Sequence, residues 1–458
     1  MTSTIKPPQK KQLIKGIGGV TRRQFIKTTL AGTVLAGTRN LMFPRFGAAK
    51  PKTLKILQWV HFVPGYDKWF NETYVKEWGE KNDTQVIVDN IGLAGLNARA
   101  AAEVSAQKGH DLFMFLWPKP DMEEQVINHN EVYEELNRSF GKPIDLAVRS
   151  TFNPKTKKFY GFSDSYVPDP VNYRKDLWDA VGMAPDTWDN IRIGGAKIKK
   201  AHNAPVGIGL ASEIDTNMAM RAIMYSFGSS EQDEEGNLVL NSRETLEAVK
   251  YVTSLYKECM TDEVFTWDAS SNNRFMVSGK GSLALNAISV TRTAEKTDPE
   301  MESKIWLAKA PRGPVRRIGL EHVMDVYVIW KFAENIDGAK KFLVDYVKDF
   351  RTAFLASEFY NFPCYAQTVP DIKQLIAHDP KAKPPDKYKV LEDVLDWATN
   401  VGYPGYATAA IDEIFSTWVI STMFARAAAG RMSPQEAINA AEANCKVIFE
   451  KWQARGLA

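Results

Sequence analysis

Aromatic and hydrogen-bonding side chains are the residues of this sequence best suited to chemistry. The chain holds 12 Trp, 16 Tyr and 23 Phe. Aromatic rings stack on the apolar face of a cyclic solute, while Asp, Glu, Asn, His and Arg form hydrogen bonds with its hydroxyls. Each buried hydroxyl left without a partner costs roughly 1–3 kcal/mol. Eight residues are candidates for such a site because of their positions along the chain: His61, Trp117, Asp164, Tyr166, Trp267, Asn286, Glu321 and Tyr403. His322 and Asn361 are further candidates, and a structural role is the alternative for each residue.

Carboxylates are numerous enough for a different chemistry. A glycoside hydrolase needs two carboxylates at a suitable separation, and the 55 Asp and Glu residues do not exclude such a pair. The sequence has no nucleophile elbow, no H-E-x-x-H motif and no phosphate-binding loop, and Gly92 and Gly95 do not fit a dinucleotide-binding fingerprint. We therefore expect a protein that is not an enzyme, with a secreted glycoside hydrolase as the alternative.

Metal and cofactor patterns are missing from the sequence. Its three cysteines, Cys259, Cys364 and Cys445, are widely spaced and form no C-x-x-C or Cys/His ligand spacing. Six histidines without a cluster disfavour a transition-metal site. We expect no cofactor and no metal, and free thiols rather than a disulfide.

Basic residues are concentrated at the start of the chain. Residues 1–49 hold nine of the 58 Lys and Arg residues and no Asp or Glu. The rest of the chain therefore has 49 basic and 55 acidic residues, a net charge of about −6. The basic balance of the whole chain therefore gives no support for nucleic-acid binding.

The same stretch carries an export pattern. Residues 21–27, T-R-R-Q-F-I-K, resemble the twin-arginine signal (S/T)-R-R-x-F-L-K. The apolar run at 28–37 is shorter than the roughly 20 residues of a membrane span, and the small residues before Lys50 permit cleavage near Ala49. We expect a signal peptide over 1–49, passage through the twin-arginine translocase, and a soluble periplasmic protein without a lipid anchor.

Alternating strand and helix patterns must position the candidate residues. Strand patterns at 53–60, 85–90 and 111–116 are separated by helical patterns at 66–81 and 97–108. This alternation predicts a parallel sheet with right-handed crossovers. Ligands bind beyond the carboxyl ends of such strands, which selects His61 after the first strand and Trp117 after the third.

The length of the chain exceeds one compact core, so we expect two lobes. A proline-marked connection at 163–172 follows the first series of elements. Pro168 and Pro170 fix their own φ and extend the residues before them, which predicts a stiff, extended connection.

Capping boxes predict two helix starts further along the chain. Asn241 with Glu244 begins one helix, and Ser433 with Glu436 begins another.

Five motifs in order resemble family 1 extracellular solute-binding proteins, the receptors of ABC importers. The family patterns are Y-N-K-D-L-F with P-x-T-W-D-E, F-x-x-G-K-A-A-M, P-x-G-P, A-x-x-F-L and x-x-P. Here they correspond to residues 173–189, 275–286, 311–314, 339–343 and 361–363.

This resemblance implies an α/β, two-lobed periplasmic-binding-protein fold (type II-like), hinge-connected, with a ligand cleft between the lobes. The expected boundaries are a first lobe at 50–162, a hinge crossing at 163–172, a second lobe at 173–320, and a return to the first lobe at 321–458 with C-terminal helices contributing to both. The implied function is delivery of a sugar, oligosaccharide or polyol to the membrane subunits of an ABC permease. We expect a monomer. A receptor for a non-sugar solute such as a polyamine is the alternative within this class.

Overall fold

The computed structural model describes residues 52–458. The predicted signal peptide and its cleavage site near Ala49 lie outside the described residues. Across residues 52–458, no helix is both long enough and apolar enough to cross a membrane.

The described part of the chain contains both strands and α-helices from end to end. The strands are β1 (Lys52–Trp59), β2 (Thr84–Ile91), β3 (Leu112–Phe115), β4 (Phe152–Asn153), β5 (Lys158–Phe159), β6 (Phe162–Pro168), β7 (Val171–Arg174), β8 (Val206–Gly207), β9 (Leu283–Leu285), β10 (Ile305–Ala308), β11 (Gly319–Ile329), β12 (Phe362–Pro363) and β13 (Ala398–Thr399). The α-helices are α1 (Pro64–Trp69), α2 (Val75–Lys81), α3 (Leu96–Ala106), α4 (Asn130–Phe140), α5 (Asp145–Thr151), α6 (Lys175–Ala180), α7 (Trp188–His202), α8 (Ile214–Ser226), α9 (Arg243–Cys259), α10 (Ser271–Val277), α11 (Ser289–Thr297), α12 (Pro299–Lys304), α13 (Ile336–Lys348), α14 (Phe350–Ala356), α15 (Ile372–Ala377), α16 (Ala409–Ser416), α17 (Val419–Ala428) and α18 (Pro434–Gln453).

The larger sheet has the order β12-β6-β11-β3-β1-β2, with β13 paired to the start of β11. β1 is parallel to β2 and to β3, which confirms the predicted parallel arrangement. β11 is antiparallel to β3 and to β6. The carboxyl ends of β1, β3 and β6 and the amino-terminal half of β11 therefore meet at one edge of this sheet.

The smaller sheet has the order β10-β7-β9-β8. β7 is antiparallel to both β9 and β10, and β8 is parallel to β9. The chain therefore forms two lobes, each built around its own sheet.

Two short connections join the sheets. One is the dipeptide Asp169-Pro170 between β6 and β7, and the other runs from β10 to β11 through residues 309–318. Their ends are paired in both sheets, with Pro168 opposite Glu321 and Val171 opposite Ala308. Most of the extended connection predicted at 163–172 is strand in the structure.

Helix α8 of the second lobe packs against β11 of the larger sheet. The C-terminal helices α17 and α18 pack against α9, and α17 also contacts α8. This packing brings the amino terminus of α8 to the edge of the larger sheet where β1, β3 and β6 end.

One of the two helix N-caps predicted from the sequence is present in the structure. Ser433 and Glu436 form the expected capping box at the start of α18. At α9 the predicted cap is wrong by one residue, because the side chain of Ser242 accepts the Thr245 N–H. The side chain of Asn241 instead donates to Glu442 of α18 at 2.8 Å.

Candidate functional site

A buried group of polar side chains lies where the edge of the larger sheet meets the second lobe. Each member is at most 9% exposed. We call this group the buried polar layer, and its members are His61, Asp164, Ser165, Asp169, Glu213, Asp215, Asn272, His322, Asp325, Tyr360 and Asn361.

His61, two residues after β1, begins one chain of hydrogen bonds in the layer. The backbone N–H of Val63 donates to its Nδ1 at 2.9 Å, so the ring proton is on Nε2, which donates to Oδ1 of Asn361 at 3.0 Å. Burial lowers the pKa of His61 to about 4. The neutral ring is therefore a fixed hydrogen-bond donor.

Asn361 and Ser165 extend this chain of hydrogen bonds to the carboxyls of Asp325 and Asp164. Its Nδ2 donates to Oδ2 of Asp325 at 3.3 Å. Oγ of Ser165 lies 2.9 Å from Oδ2 of Asp164 and 3.0 Å from Oδ2 of Asp325. Since one hydroxyl donates one proton, the second contact requires a protonated carboxyl.

Burial explains which protonation state this pair adopts. It raises the pKa of Asp164 to about 7. Burial, followed by the charge of Asp164, raises the pKa of Asp325 well above its ordinary value. Asp164 and Asp325 therefore share at least one proton at neutral pH.

His322 joins the two lobes in the second half of the layer. Its Nδ1 lies 3.4 Å from Oδ1 of Asp169, and its Nε2 lies 3.4 Å from Oδ1 of Asp215. Burial opposes a charge on the ring, but the surrounding carboxylates outweigh it and raise the pKa of His322. The imidazole of His322 thus bridges the lobe connection and α8, and its raised pKa favours the charged form.

Asp215 is positioned by the cap of α8. Glu213 caps this helix by accepting the backbone N–H groups of Asp215 at 2.7 Å and Thr216 at 2.6 Å. Nδ2 of Asn272 donates to Oδ2 of Asp215 at 2.5 Å. Burial and the nearby charge of Glu213 raise the pKa of Asp215 well above its ordinary value.

Several polar atoms of the layer have no hydrogen-bond partner among the described residues. They are the Tyr360 hydroxyl, Nδ1 of His322 and one oxygen each of Asp164, Asp169 and Asp325. The His322 nitrogen and the Asp169 oxygen face each other in the 3.4 Å ion pair, which leaves the Tyr360 hydroxyl and the oxygens of Asp164 and Asp325 without any partner in the described part of the chain. Tyr360 is fully buried against His61, with ring centroids 4.9 Å apart. Burial and the charges of Asp325, Asp215 and Asp169 raise the pKa of its phenol. The layer therefore presents hydrogen-bond acceptors that need donors.

The structure brings some of the predicted site residues together. His61, Asp164, Asn361 and His322 all belong to the buried polar layer. Asn286 lies beside it, because Nδ2 of Asn272 reaches the carbonyl of Leu285 at 3.4 Å. Nδ2 of Asn286 donates to Oδ1 of Asn273 at 2.7 Å.

The two predicted stacking residues pack against aromatic neighbours. Trp117 is 7% exposed, with its ring centroid 5.7 Å from that of Phe415. Trp267 is half-buried, with its ring centroid 5.1 Å from that of Phe275. In the structure each ring already packs at a tilt against an aromatic side chain of the protein.

The other three predicted residues lie outside the layer. Tyr166 lines an apolar pocket of about 320 Å³. Tyr403 lines a different pocket of about 260 Å³ and holds the Arg316 guanidinium over its ring. Glu321 accepts the backbone N–H of Val401 at 3.0 Å, and burial raises its pKa to about 8.

Sequence reasoning missed the carboxyls that dominate the layer. Asp325 is a charged residue inside the apolar run 323–330, and Asp169 lies between two prolines. Asp215 lies in the first turn of α8. A carboxyl within an apolar strand is an available signal, because carboxyls are almost never fully buried without partners.

Metal binding and disulfide formation have no support in the described residues. Between residues 52 and 458, no group of three or more His, Cys, Asp or Glu side chains is arranged to hold a metal ion. Cys259, Cys364 and Cys445 are buried and unpaired.

Two lobes joined by paired strands, with a polar layer between them, define a two-lobed solute-binding protein. Residues 64–358 match the family described as bacterial extracellular solute-binding protein. This match covers more than half of the chain, and the chain belongs to that family.

Curated relatives are similar over part of their length. A binding protein of Brucella abortus is 27% identical over 207 residues, which is 44% of this chain and 50% of the relative. The arabinooligosaccharide-binding protein of Bacillus subtilis is 23% identical over 206 residues, 43% of this chain and 46% of the relative. The chain spans about half the length of these relatives.

Solved structures share the fold over most of the chain. An ABC transporter solute-binding protein of Thermotoga lettingae bound with α-D-tagatose has a TM-score of 0.72 at 18% identity, covering 87% of this chain and 100% of that one. A maltose-bound protein of T. maritima has a TM-score of 0.70 at 18% identity, covering 86% and 99%. An Agrobacterium radiobacter protein in complex with ribitol has a TM-score of 0.67 at 16% identity, covering 87% and 99%. The two-lobed α/β fold predicted from the sequence is confirmed.

Proposed function

We propose that this protein is the periplasmic substrate-binding component of an ABC importer and that it binds a sugar, oligosaccharide or polyol between its lobes. The observation that carries this proposal is the buried polar layer, which lies at the carboxyl ends of parallel strands and is completed by the second lobe. Its unpartnered carboxyl oxygens are suited to accept hydrogen bonds from hydroxyls. The bound tagatose, maltose and ribitol of the structural neighbours support this ligand class.

Closure of the lobes is the proposed mechanism. From the first lobe, His61 would donate to the ligand by exchanging its hydrogen bond to Asn361, and Asp164 would accept. Asn286 offers an amide from the second lobe. A ligand that contacts both lobes stabilises the closed form by its higher affinity for that form. The ABC permease recognises the closed pair of lobes and receives the ligand.

The remaining predicted residues complete the proposal. Trp117 and Trp267 would stack on the ligand after small movements away from their aromatic neighbours. Tyr166, Glu321 and Tyr403 lie farther from the layer and would act only on a ligand longer than one sugar unit.

The proposed lobe boundaries remain those of the sequence, with the first lobe at 50–162, the crossing at 163–172, the second lobe at 173–320 and the return at 321–458. The protein reaches the periplasm through the twin-arginine translocase, is cleaved near Ala49 and acts as a monomer without catalytic activity.

A thermal-shift screen of the purified protein against sugars, oligosaccharides and polyols tests this function. We expect a saturable rise in melting temperature for at least one compound, with the compound recovered unchanged after incubation. Turnover of the compound would instead indicate an enzyme. The absence of any shift across all three classes would contradict the proposal.

A further inference from the structure

The buried polar layer is strongly acidic. Five of its members are carboxyl side chains: Asp164, Asp169, Glu213, Asp215 and Asp325. Within residues 52–458, His322 is the one cationic side chain within 4 Å of any of these carboxyls. The proton shared by Asp164 and Asp325 offsets part of the charge of these carboxyls, and His322 offsets a further part. Neutral hydroxyls would satisfy hydrogen bonds here and leave that shared proton in place, whereas a cationic group could take its place.

Tyr360 gives a second and independent indication that a ligand group belongs at this place. Its hydroxyl is fully buried and has no hydrogen-bond partner among the described residues. The charges of Asp325 and Asp169 help to raise the pKa of this phenol. A buried hydroxyl without a partner costs about 1–3 kcal/mol. A ligand donor beside Tyr360 would satisfy the phenol oxygen, and further donors of the same ligand would satisfy the free oxygens of Asp164 and Asp325.

We propose that the solute bound by the layer carries an ammonium group besides its hydroxyls, as an amino sugar or an amino polyol does. The ammonium lies against the free oxygens of Asp164 and Asp325 and replaces the proton that this pair otherwise holds. An ammonium fits because it supplies three donors and one positive charge. This proposal rests on the proposed function and narrows its ligand class.

The charge balance of this exchange predicts proton release. Binding of the cation expels a proton from the Asp164–Asp325 pair, so affinity rises with pH through the region near pH 7. A neutral sugar leaves the proton in place. The pair is therefore expected to distinguish an amine from the corresponding alcohol.

The phenols, the thiol and the imidazole that surround the pair do not produce the same dependence. Those that face it from the surrounding elements are His61, Tyr66, Tyr327, Tyr346, Tyr360 and Cys364. Burial lowers the pKa of His61 to about 4 and raises the pKa of the four phenols and of the Cys364 thiol. In the neighbouring group, the pKa values of Glu213, Asp215 and His322 are also raised, chiefly by burial for the two carboxyls and, against burial, by the nearby carboxylates for His322. Loss of the proton release in Asp325→Asn therefore assigns it to the Asp164–Asp325 pair.

Calorimetric titration with matched pairs of compounds tests the proposal. Each pair consists of an amine and its neutral counterpart: glucosamine with glucose, galactosamine with galactose, and 1-amino-1-deoxysorbitol with sorbitol. Spermidine is the amine without hydroxyls. Titrations in phosphate and in Tris, whose ionisation enthalpies differ, count the protons released.

We expect an amine to bind roughly tenfold to hundredfold more tightly than its counterpart, as a charge-assisted hydrogen bond implies, and to release a proton. Equal or tighter binding of the neutral compounds would overturn this inference and leave the proposed function intact. Binding of spermidine alone would overturn both, and failure of every amine to bind would overturn the inference.

The variant Asp325→Asn tests the position of the ammonium. We expect it to abolish the ratio of amine to neutral-compound affinity and the proton release, whatever the change in the absolute affinities of the two compounds. The matched control is Asp412→Asn, which changes a buried carboxyl paired with Lys119 outside the layer and should leave the preference unchanged. If Asp325→Asn does not fold, the proton count of the wild-type protein decides, because cation binding without proton release contradicts the exchange.

Discussion

Asp164 and Asp325 approach a single hydroxyl, that of Ser165, at 2.9 and 3.0 Å. The two carboxyls come from neighbouring strands of the larger sheet and are fully buried. Their arrangement is stable only with a proton between them, because two adjacent buried carboxylates would repel each other.

The first prediction is a pH dependence of folding stability. The pKa of Asp164 is raised from 3.8 to about 7, so between these values the folded state holds a proton that the unfolded state has released. The contribution of Asp164 to the free energy of unfolding should therefore fall as the pH rises from about 4 to about 7, by roughly 4 kcal/mol. Urea unfolding of the wild type and of Asp164→Asn measures the difference, and parallel stability curves for the two proteins would contradict the shared proton.

The second prediction concerns Asn361, which connects His61 to Asp325. Replacing it by Ala removes the partners of one buried donor and one buried acceptor, so the free energy of unfolding should fall by about 1–3 kcal/mol or more. The exposed Asn241 is the control, since its replacement by Ala should change stability by roughly 0.5 kcal/mol or less. Chemical denaturation measures both, and equal effects would show that the bridge is not structural.

The third prediction separates binding from packing at Trp117 and Trp267. Truncation to Ala should weaken ligand affinity by roughly 1–3 kcal/mol wherever the ring stacks on a desolvated ligand. A ring that serves only the core should instead lower the melting temperature of the ligand-free protein by several degrees. Calorimetric titration beside thermal melting resolves each residue, and unchanged affinity in both variants would remove both from the proposed site.

The fourth prediction concerns export, which depends on residues outside the described part of the chain. Replacing Arg22 and Arg23 by Lys should leave the precursor in the cytoplasm, because the guanidinium groups are not equivalent to ammonium groups of the same charge. Cell fractionation measures the distribution. Normal periplasmic accumulation of the Lys-Lys variant would contradict the twin-arginine interpretation.

The fifth prediction compares a buried with an exposed ion pair. Arg221 and Glu231 are both fully buried and 2.6 Å apart. Glu231→Gln should lower the free energy of unfolding by about 3–5 kcal/mol, because it leaves a buried charge unpaired. Glu135→Gln breaks the exposed pair with Arg138 and should cost less than about 1 kcal/mol. Similar losses in urea unfolding would show that burial does not set the strength of these pairs.

Much of the fold could be predicted from local patterns. The strand expected at 53–60 is β1 within a residue at each end, and the capping box at Ser433 is present. Both signals depend on residues close together in the chain. The error at Asn241 has a nonlocal cause, because Asn241 and Ser242 are both good caps and the choice depends on the bond from Asn241 to Glu442 of α18.

The candidate site was less predictable for the same reason. The rule that ligands bind beyond strand ends selected His61, which the structure places in the buried polar layer. The apolar run around Asp325 indicates burial, but nothing near it in the sequence names Ser165 as its partner. Trp117 follows a strand as expected, yet its neighbour Phe415 comes from α16, which no local pattern connects to that strand.

The two connections between the sheets lie side by side at both ends, since Pro168 pairs with Glu321 and Val171 with Ala308. Two adjacent links permit rotation about the line that joins them and resist twisting or separation of the lobes. Opening should therefore follow one axis, and the layer should be exposed along its far edge first. Distances between spin labels on the two lobes, measured with and without ligand, should change in proportion to their separation from that axis. Contacts of the ligand that lie farthest from β6 and β11 should hold the protein closed most effectively. They act at the greatest distance from the axis.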